Sequence, residues 1–578
     1  MQTNTLKVLS LALGTSVLFT ACDGLGKMIK KQNLITFEVT PKPLEMHGDS
    51  VAVSVSGKYP AKLFAKKAVV TVTPVIKYNG GEKKLKPVTL VGEKATEAGQ
   101  KIAYEKGGTF SYSDKVPYES GMKVAKLEIQ AQGKVKKKTK DFKAVEIADG
   151  TIITPLLVRN DEKGIMAKDA FVKSVSNNQS ANIYYVINQS VVRPGELKSE
   201  EVKNLTTFIG QNAKNTTWYE FKGIEVSAYA SPDGELSRNA DLATDRAKSG
   251  SAALSKEFQK DKNKDNTFGK DAAQYKTVTT AEDWEGFKTL MEQSSIADKD
   301  LILRVLTMYT DGEQREKEIK NLSKTYKEVA DKILPKLRRS VLTVIVDKKS
   351  RTDDMINRLA DTNPDSLSVE ELMYAATLTE DVNRKMNIYK SAEKQYATDW
   401  RTSNNLGVTY LLTNKIDDAK AAFERADKAS ANNPVVQNNI GACVAKSGDR
   451  RAAMEYYNKA NGAGPEVNYN KGIVLVRDGK YADAVSAFGS YKGFNLALAQ
   501  LLNGTPDAVA GTIDASKEKD MAMSYYLKAV ASARKGDASG LSNLKTAIEK
   551  DGSLKAMAKD DCEFLKWREN ADFKGMTN

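Results

Sequence analysis

From residue 34 to about 158, apolar and polar positions alternate with period two. Ile35-Thr36-Phe37-Glu38-Val39 sets the pattern, and residues 51–56, 68–78, 109–112, 125–130 and 142–147 repeat it. Turn-forming groups separate the runs: Pro41-Lys42-Pro43, Gly57, Asn79-Gly80-Gly81 and Gly107-Gly108. Alternation buries one face of each strand, so several short strands at this spacing predict a β-sandwich over residues 34–158. From residue 181 to 348 the pattern becomes mixed. Ile183-Tyr184-Tyr185-Val186-Ile187 reads as a strand, and residues 199–210 as a helix with Val202, Leu205, Phe208 and Ile209 on one face. A second strand at 223–230, a helix from about 236 to 258 and a closing strand at 340–346 complete an α/β segment, with helical sequence from 283 to 334. Residues 259–280 are polar and read as an exposed excursion, so a helical insertion is expected at about 250–335. Residues 349–366 read as a linker, and residues 367–570 as helical pairs joined by short turns.

Composition narrows the chemistry. The chain has 578 residues, 41% hydrophobic and 28% charged, which suits several folded soluble domains. The net charge of +14 is carried mostly by lysine along the whole length. Its denser blocks, Lys134-Val135-Lys136-Lys137-Lys138 and residues 27–31, are not interleaved with aromatics, so nucleic acid is not an expected partner. His47 is the single histidine, in the turn His47-Gly48-Asp49. Neither a Ser/His/Asp triad, a histidine metal cluster, a phosphate loop nor a cysteine-pair zinc site can be assembled from these residues. We therefore expect a non-enzymatic protein with no cofactor and no metal. Cys443 and Cys562 lie in helical sequence and are expected to be buried thiols.

The amino terminus carries an address. Lys7 precedes an apolar run over residues 8–19, well short of the roughly 20 residues a membrane span needs. It ends in Leu18-Phe19-Thr20-Ala21-Cys22, which resembles a bacterial lipobox. The resemblance implies a signal peptide over residues 1–21, acylation of Cys22 and a tether over 22–33. Acyl chains at about 0.8 kcal/mol per buried CH₂ would hold the protein on a bilayer.

The central segment carries Ser227-Ala228-Tyr229-Ala230-Ser231-Pro232-Asp233-Gly234, then Asn239, Leu242, Arg246 and Ala247. The spacing i, i+3, i+7 sets Asn239, Leu242 and Arg246 on one helical face beside the loop. This stretch resembles the OmpA-like peptidoglycan-binding domain, whose pattern is strand, Gly-aromatic-Thr-Asp, loop, Asn-x-x-Leu-Ser-x-x-Arg-Ala. Tyr229, Asn239, Leu242, Arg246 and Ala247 fall on their counterparts. Ala243 replaces the Ser, and the ligand-binding Asp falls on Ser231, with Asp233 two residues further. The resemblance implies a βαβαβ-like fold over 181–348. It also implies a clamp on a diaminopimelate stem peptide, Arg246 taking the carboxylate and Asp233 or Ser231 the ammonium. The Ala-Ser-Pro-Asp-Gly loop, Asp283-Trp284-Glu285-Gly286-Phe287 and Leu334-Pro335 look like the branch found in Bacteroidetes envelope lipoproteins. The triplets Asp49-Ser50-Val51 and Asp365-Ser366-Leu367 look like the short O-glycosylation sites of that group.

Leu406-Gly407, Tyr410, Ala419, Phe423 and Ala426 recur 34 residues on as Ile440-Gly441, Ala453, Tyr457 and Ala460, and again after 31 more as Lys471-Gly472, Ala484 and Phe488. This is the tetratricopeptide pattern at its own period. A degenerate pair precedes it (residues 371–396), another follows (521–547), and residues 561–565 read as a cap. The resemblance implies a superhelix with a concave surface for a protein partner that the sequence does not name. The fold class expected is thus multidomain: β-sandwich, α/β OmpA-like domain with a helical insertion, and an all-α tetratricopeptide superhelix. The function expected is a lipoprotein on the periplasmic face of the outer membrane that bridges membrane, peptidoglycan and a protein assembly. The alternative is an accessory subunit of a secretion, gliding or fimbrial machine whose OmpA-like domain has lost its grip on the wall.

Overall fold

The computed structural model describes residues 24–260 and 266–578; Cys22 and the leader before it lie outside the described residues. Contacts divide the chain into two units. One joins residues 24–167 to Tyr396–Asn578, and the other is Lys168–Gln395, inserted into the first in sequence. Among the described residues no helix is long and apolar enough to cross a membrane.

The sheet-rich region of the first unit follows the alternation. Ser50–Tyr59 pairs antiparallel with Thr36–Thr40, Met46–His47 and Gly108–Pro117 in one sheet. Val69–Tyr78 and Ala125–Val135 form the middle of the other. Val51, Val53, Val55, Val70, Val72, Leu127 and Ile129 turn inward and make the core between them. The expected tether holds a helix instead, Gly24–Lys30, which buries Leu25 and Met28 in that core. Two apolar side chains three apart present one helical face, which the lysines around them masked in sequence.

The helical region of the same unit runs in antiparallel pairs: Trp400–Leu412 with Ile416–Ala429, Pro434–Lys446 with Arg450–Lys459, and Pro465–Arg477 with Tyr481–Phe488. The recurring glycine has a steric cause. A Cβ on Gly407, Gly441 or Gly472 would lie 2.5, 2.7 or 2.7 Å from the ring of Phe423, Tyr457 or Phe488, each on the second helix of its pair. A fourth pair, Phe494–Leu502 with Asp507–Asp514, falls within the expected helical pairs, though its own repeat was not set out from the sequence. Its short helices and Leu/Ala-rich face hide the period. Ala522–Lys535 with Leu541–Lys550 follows, and Cys562–Trp567 stacks Phe564 on Trp567 to close the core. Cys443 and Cys562 are buried thiols, their pKa values raised by burial to about 12 and about 11.

In the second unit Arg339–Lys349 is the central strand, antiparallel to Gln179–Tyr184 and to Tyr219–Tyr229. Helix Leu236–Gln259 packs Ala243, Ala247, Gly250, Leu254 and Phe258 inward. The excursion expected at 259–280 contains a strand, Tyr275–Thr280, parallel to Tyr219–Tyr229. Its Thr-Val-Thr-Thr run is polar yet β-branched, and a strand at a sheet edge need bury little. The helical insertion spans Trp284–Glu292 to Leu334–Leu337 and has its own core around Phe287, Met291, Ile302 and Val329. The expected linker holds helix Asp353–Thr362, capped by Thr352. Helices Val369–Ala375 and Val382–Gln395, expected among the repeats, belong to this unit.

Candidate functional site

The α/β loop was expected to set Arg246 against Ser231 or Asp233. Tyr219–Tyr229 ends just before Ser231, and Gly234 turns the chain at φ +145° into helix Leu236–Gln259. Asn239 pins the turn, its Nδ2 donating to the carbonyls of Ser231 (3.2 Å) and Gly234 (3.3 Å). Arg246 points inward and is 1% exposed. Its Nε donates to the carbonyl of Gln189 at 3.1 Å and its Nη1 to that of Tyr229 at 3.0 Å. The guanidinium lies 5.3 Å from the centre of the Tyr185 ring, and burial pushes its pKa down to about 10.

The cation that meets Ser231 and Asp233 is a different one. Arg338 donates from Nε to Ser231 Oγ and from Nη2 to Asp233 Oδ2, both at 3.0 Å. Next to it, Arg339 reaches Asp283 at 2.8 Å and covers the Tyr229 ring at 4.4 Å. The structure thus gathers Ser231, Asp233 and Asn239 in one hydrogen-bonded loop but commits Arg246 to main-chain carbonyls behind it. Arg338 and Arg339 were missed in sequence. Their signal is two adjacent cations opening the strand that closes the domain. As arranged, the loop is a satisfied charge cluster, able to meet a zwitterion only by exchanging Arg338 for the ligand.

The second site is the inner surface of the helical repeats, where an external partner was expected. Residues 159–167 of the same chain lie along it. Asn405, Asn439, Asn470 and Asn495 stand on the first helices of four successive pairs, each 2% exposed or less. Each carboxamide accepts the N–H and engages the carbonyl of one residue. Asn405 holds Ala167 (2.7 and 2.9 Å), Asn439 holds Ile165 (2.7 and 2.8 Å), Asn470 holds Lys163 (2.7 and 2.9 Å) and Asn495 holds Arg159 (2.8 and 3.1 Å). The grip recurs at every second residue from 167 to 163, which extended backbone requires because alternate peptide groups face one side. The segment runs against the order of the repeats. A second row braces the first: Asn439 Nδ2 lies 2.8 Å from Asn404 Oδ1, and Asn470 Nδ2 lies 3.0 Å from Asn438 Oδ1.

Side chains add to this. Tyr469 donates to Asp161 at 2.8 Å, Arg159 pairs with Glu518 at 2.6 Å, and Lys163 lies 4.7 Å from the Tyr469 ring centre. Glu162 is buried with Lys446 3.4 Å away, and desolvation raises its pKa. Beyond the segment the sheets and repeats also meet directly. Asp49 pairs with Arg450, Glu45 with Arg534 at 3.1 Å, Thr154 with Glu563 at 2.5 Å, and His47 stacks edge-on to Tyr481 at 4.9 Å. Asn404-Asn405, Asn438-Asn439 and Asn470 carry the sequence signal for the clamp, at the repeat period on the first helix of each pair.

One family model falls on the first of these helical pairs. The tetratricopeptide repeat family model matches residues 401–433. None of the curated proteins compared matches the chain. Among solved structures, the Cut9–Hcn1 hetero-tetramer of the APC/C aligns over 35% of this chain and 44% of its own, at 11% identity and TM-score 0.31. The type IV pilus biogenesis factor PilW aligns over 40% of this chain and 100% of its own, at 15% identity and TM-score 0.27. YrrB, a TPR protein with an unusual peptide-binding site, aligns over 35% and 94%, at 18% and 0.21. The carboxy-terminal region is tetratricopeptide-like and all-helical, the kind of repeat that scaffolds protein interactions.

Proposed function

We propose that the protein is a non-enzymatic scaffold of a bacterial envelope, held to the outer membrane through acylated Cys22 and facing the periplasm. In this reading the sheets and repeats are one brace, and its inner surface is used in cis. One observation carries it: four buried asparagines spend their carboxamides on residues 159–167. A receptor for extended peptides would keep those groups open. Partners then dock on other faces of the repeats or on the inserted α/β unit, the role of an accessory subunit in a larger assembly.

A second reading keeps the wall as a ligand, and the loop Ser231–Asp233 with Arg338 and Arg339 favours it, since acids and guanidinium groups converge there. In that reading Arg338 rather than Arg246 takes the stem-peptide carboxylate. Co-sedimentation of the purified mature chain with intact sacculi tests it. Retention that Arg338→Ala abolishes and Arg246→Lys preserves supports the wall; no retention leaves the brace alone. Detergent-phase partitioning of wild type against Cys22→Ser tests the anchor, and an aqueous wild type sinks it.

A further inference from the structure

We infer that the α/β unit takes an extended, carboxylate-bearing segment of a partner protein as an added strand on Tyr275–Thr280. This rests on the scaffold reading and gives one of its partners a docking place. Among the described residues Tyr275–Thr280 is the last strand of its sheet, paired on one side only, with Tyr219–Tyr229. The N–H of Ala230 donates to the Thr280 carbonyl at 3.0 Å, which fixes the phase of the parallel ladder. Residues 276, 278 and 280 direct their peptide groups to the neighbouring strand. Thr277 and Thr279 direct theirs to the open edge.

Sheet edges are commonly blunted by proline, bulges or inward charges. Here the run is Thr277-Val278-Thr279-Thr280, with no proline, and Lys276 is drawn back to Glu225 at 3.4 Å. Between this edge and helix Leu236–Gln259 runs a groove of about 460 Å³. Ser251, Ala252 and Ser255 form its helix side, small enough to leave room for the side chains of an incoming strand. Lys248 and Lys256 also line it and no carboxylate does. Among the described residues Lys256 has no ion-pair partner, and Lys248 reaches only Asp245, at 4.0 Å on its own helix. Open main-chain groups would supply the affinity and the two lysines the preference for acidic residues, as in other strand-addition grooves.

The test uses the full mature chain in detergent and two labelled nonapeptides of alternating Val and Thr. One carries glutamates and the other carries lysines at the same places. Fluorescence anisotropy should show saturable binding of the acidic peptide, at least about tenfold tighter than the basic one. Lys256→Glu should reverse that preference. Thr277→Pro removes an edge N–H without touching the ladder, so it should abolish binding at unchanged circular dichroism. Hydrogen exchange at Thr277 and Thr279 should slow in the complex, a readout that holds even if the proline variant unfolds. No binding of the acidic peptide up to about 1 mM, or equal binding of both peptides, overturns the inference. Retention on sacculi and detergent partitioning are unaffected by either variant, so failure here is distinct from failure of the scaffold reading.

Discussion

Asn439 grips both main-chain polar groups of Ile165, accepting its N–H at 2.7 Å and donating to its carbonyl at 2.8 Å. The two residues are 274 apart in sequence. Asn439 is fully buried and Ile165 half-buried, so Asn439→Ala should cost about 1–3 kcal/mol in denaturant unfolding. Asn439→Ala with Asn470→Ala should also expose the peptide bonds between 159 and 167 to protease. Mass spectrometry of a limited digest reads this directly, and an uncut segment would refute the clamp.

Arg246→Ala should behave as a core mutation. It leaves the carbonyls of Gln189 and Tyr229 without their donor and removes a cation from the Tyr185 face. A loss of about 2–3 kcal/mol is expected in thermal or denaturant unfolding, with partial recovery in Arg246→Lys. A fully stable Arg246→Ala would mean the guanidinium faces a ligand instead.

Asp233 and Arg338 should be coupled. Their side chains are 11% and 9% exposed, so the pair is poorly screened. A double-mutant cycle of Asp233→Asn and Arg338→Gln should return an interaction of about 1–3 kcal/mol in unfolding free energy. The same cycle on Asp233 and Arg246, which share no hydrogen bond, should return a smaller value than the Arg338 cycle.

Glu162 makes stability depend on pH. Burial raises its pKa, with Lys446 pulling the other way. The folded state therefore holds the proton more tightly than the unfolded chain. Its contribution is complete below the ordinary carboxylate range and is lost as pH rises through the raised value. Glu162→Gln stays neutral throughout. Thermal melts between about pH 4 and pH 8 should show the variant gaining on wild type as pH increases. A constant difference would contradict the buried carboxyl.

Gly441→Ala drives a methyl group into the Tyr457 ring, 2.7 Å away, against a helix pair with no slack. A destabilisation of about 1–3 kcal/mol is expected from circular-dichroism melts. Gly448→Ala meets no neighbouring atom but strains a φ of +96°, so its cost should be independent of packing.

Period-two and repeat-period patterns carried most of the fold because each reports burial on one face. Val51-Val53-Val55 and the Gly407–Phe423 spacing are of that kind. The strand Tyr275–Thr280 escaped because threonines at an open edge bury nothing that a pattern could register. The repeat register of the pair Phe494–Asp514 escaped because apolar residues surround its first helix. Arg246 shows the limit for sites. Its place on the helix was legible, yet whether a guanidinium faces water or a carbonyl depends on Gln189, Tyr229 and Tyr185, remote in sequence. The asparagine rows were present in the text of the chain, but buried carboxamides make sense only once the strand between them is known.

The clamped segment also sets a timetable. Residues 159–167 leave the ribosome, and on the reading above the export channel, ahead of their clamps, which follow 238 to 336 residues later. Until those clamps follow, the segment and each half-built row of asparagines lack their native partners, and each can pair with the wrong neighbour. A chain cut short before Asn495 would therefore lack the hold on Arg159 and be left with its latch part-undone.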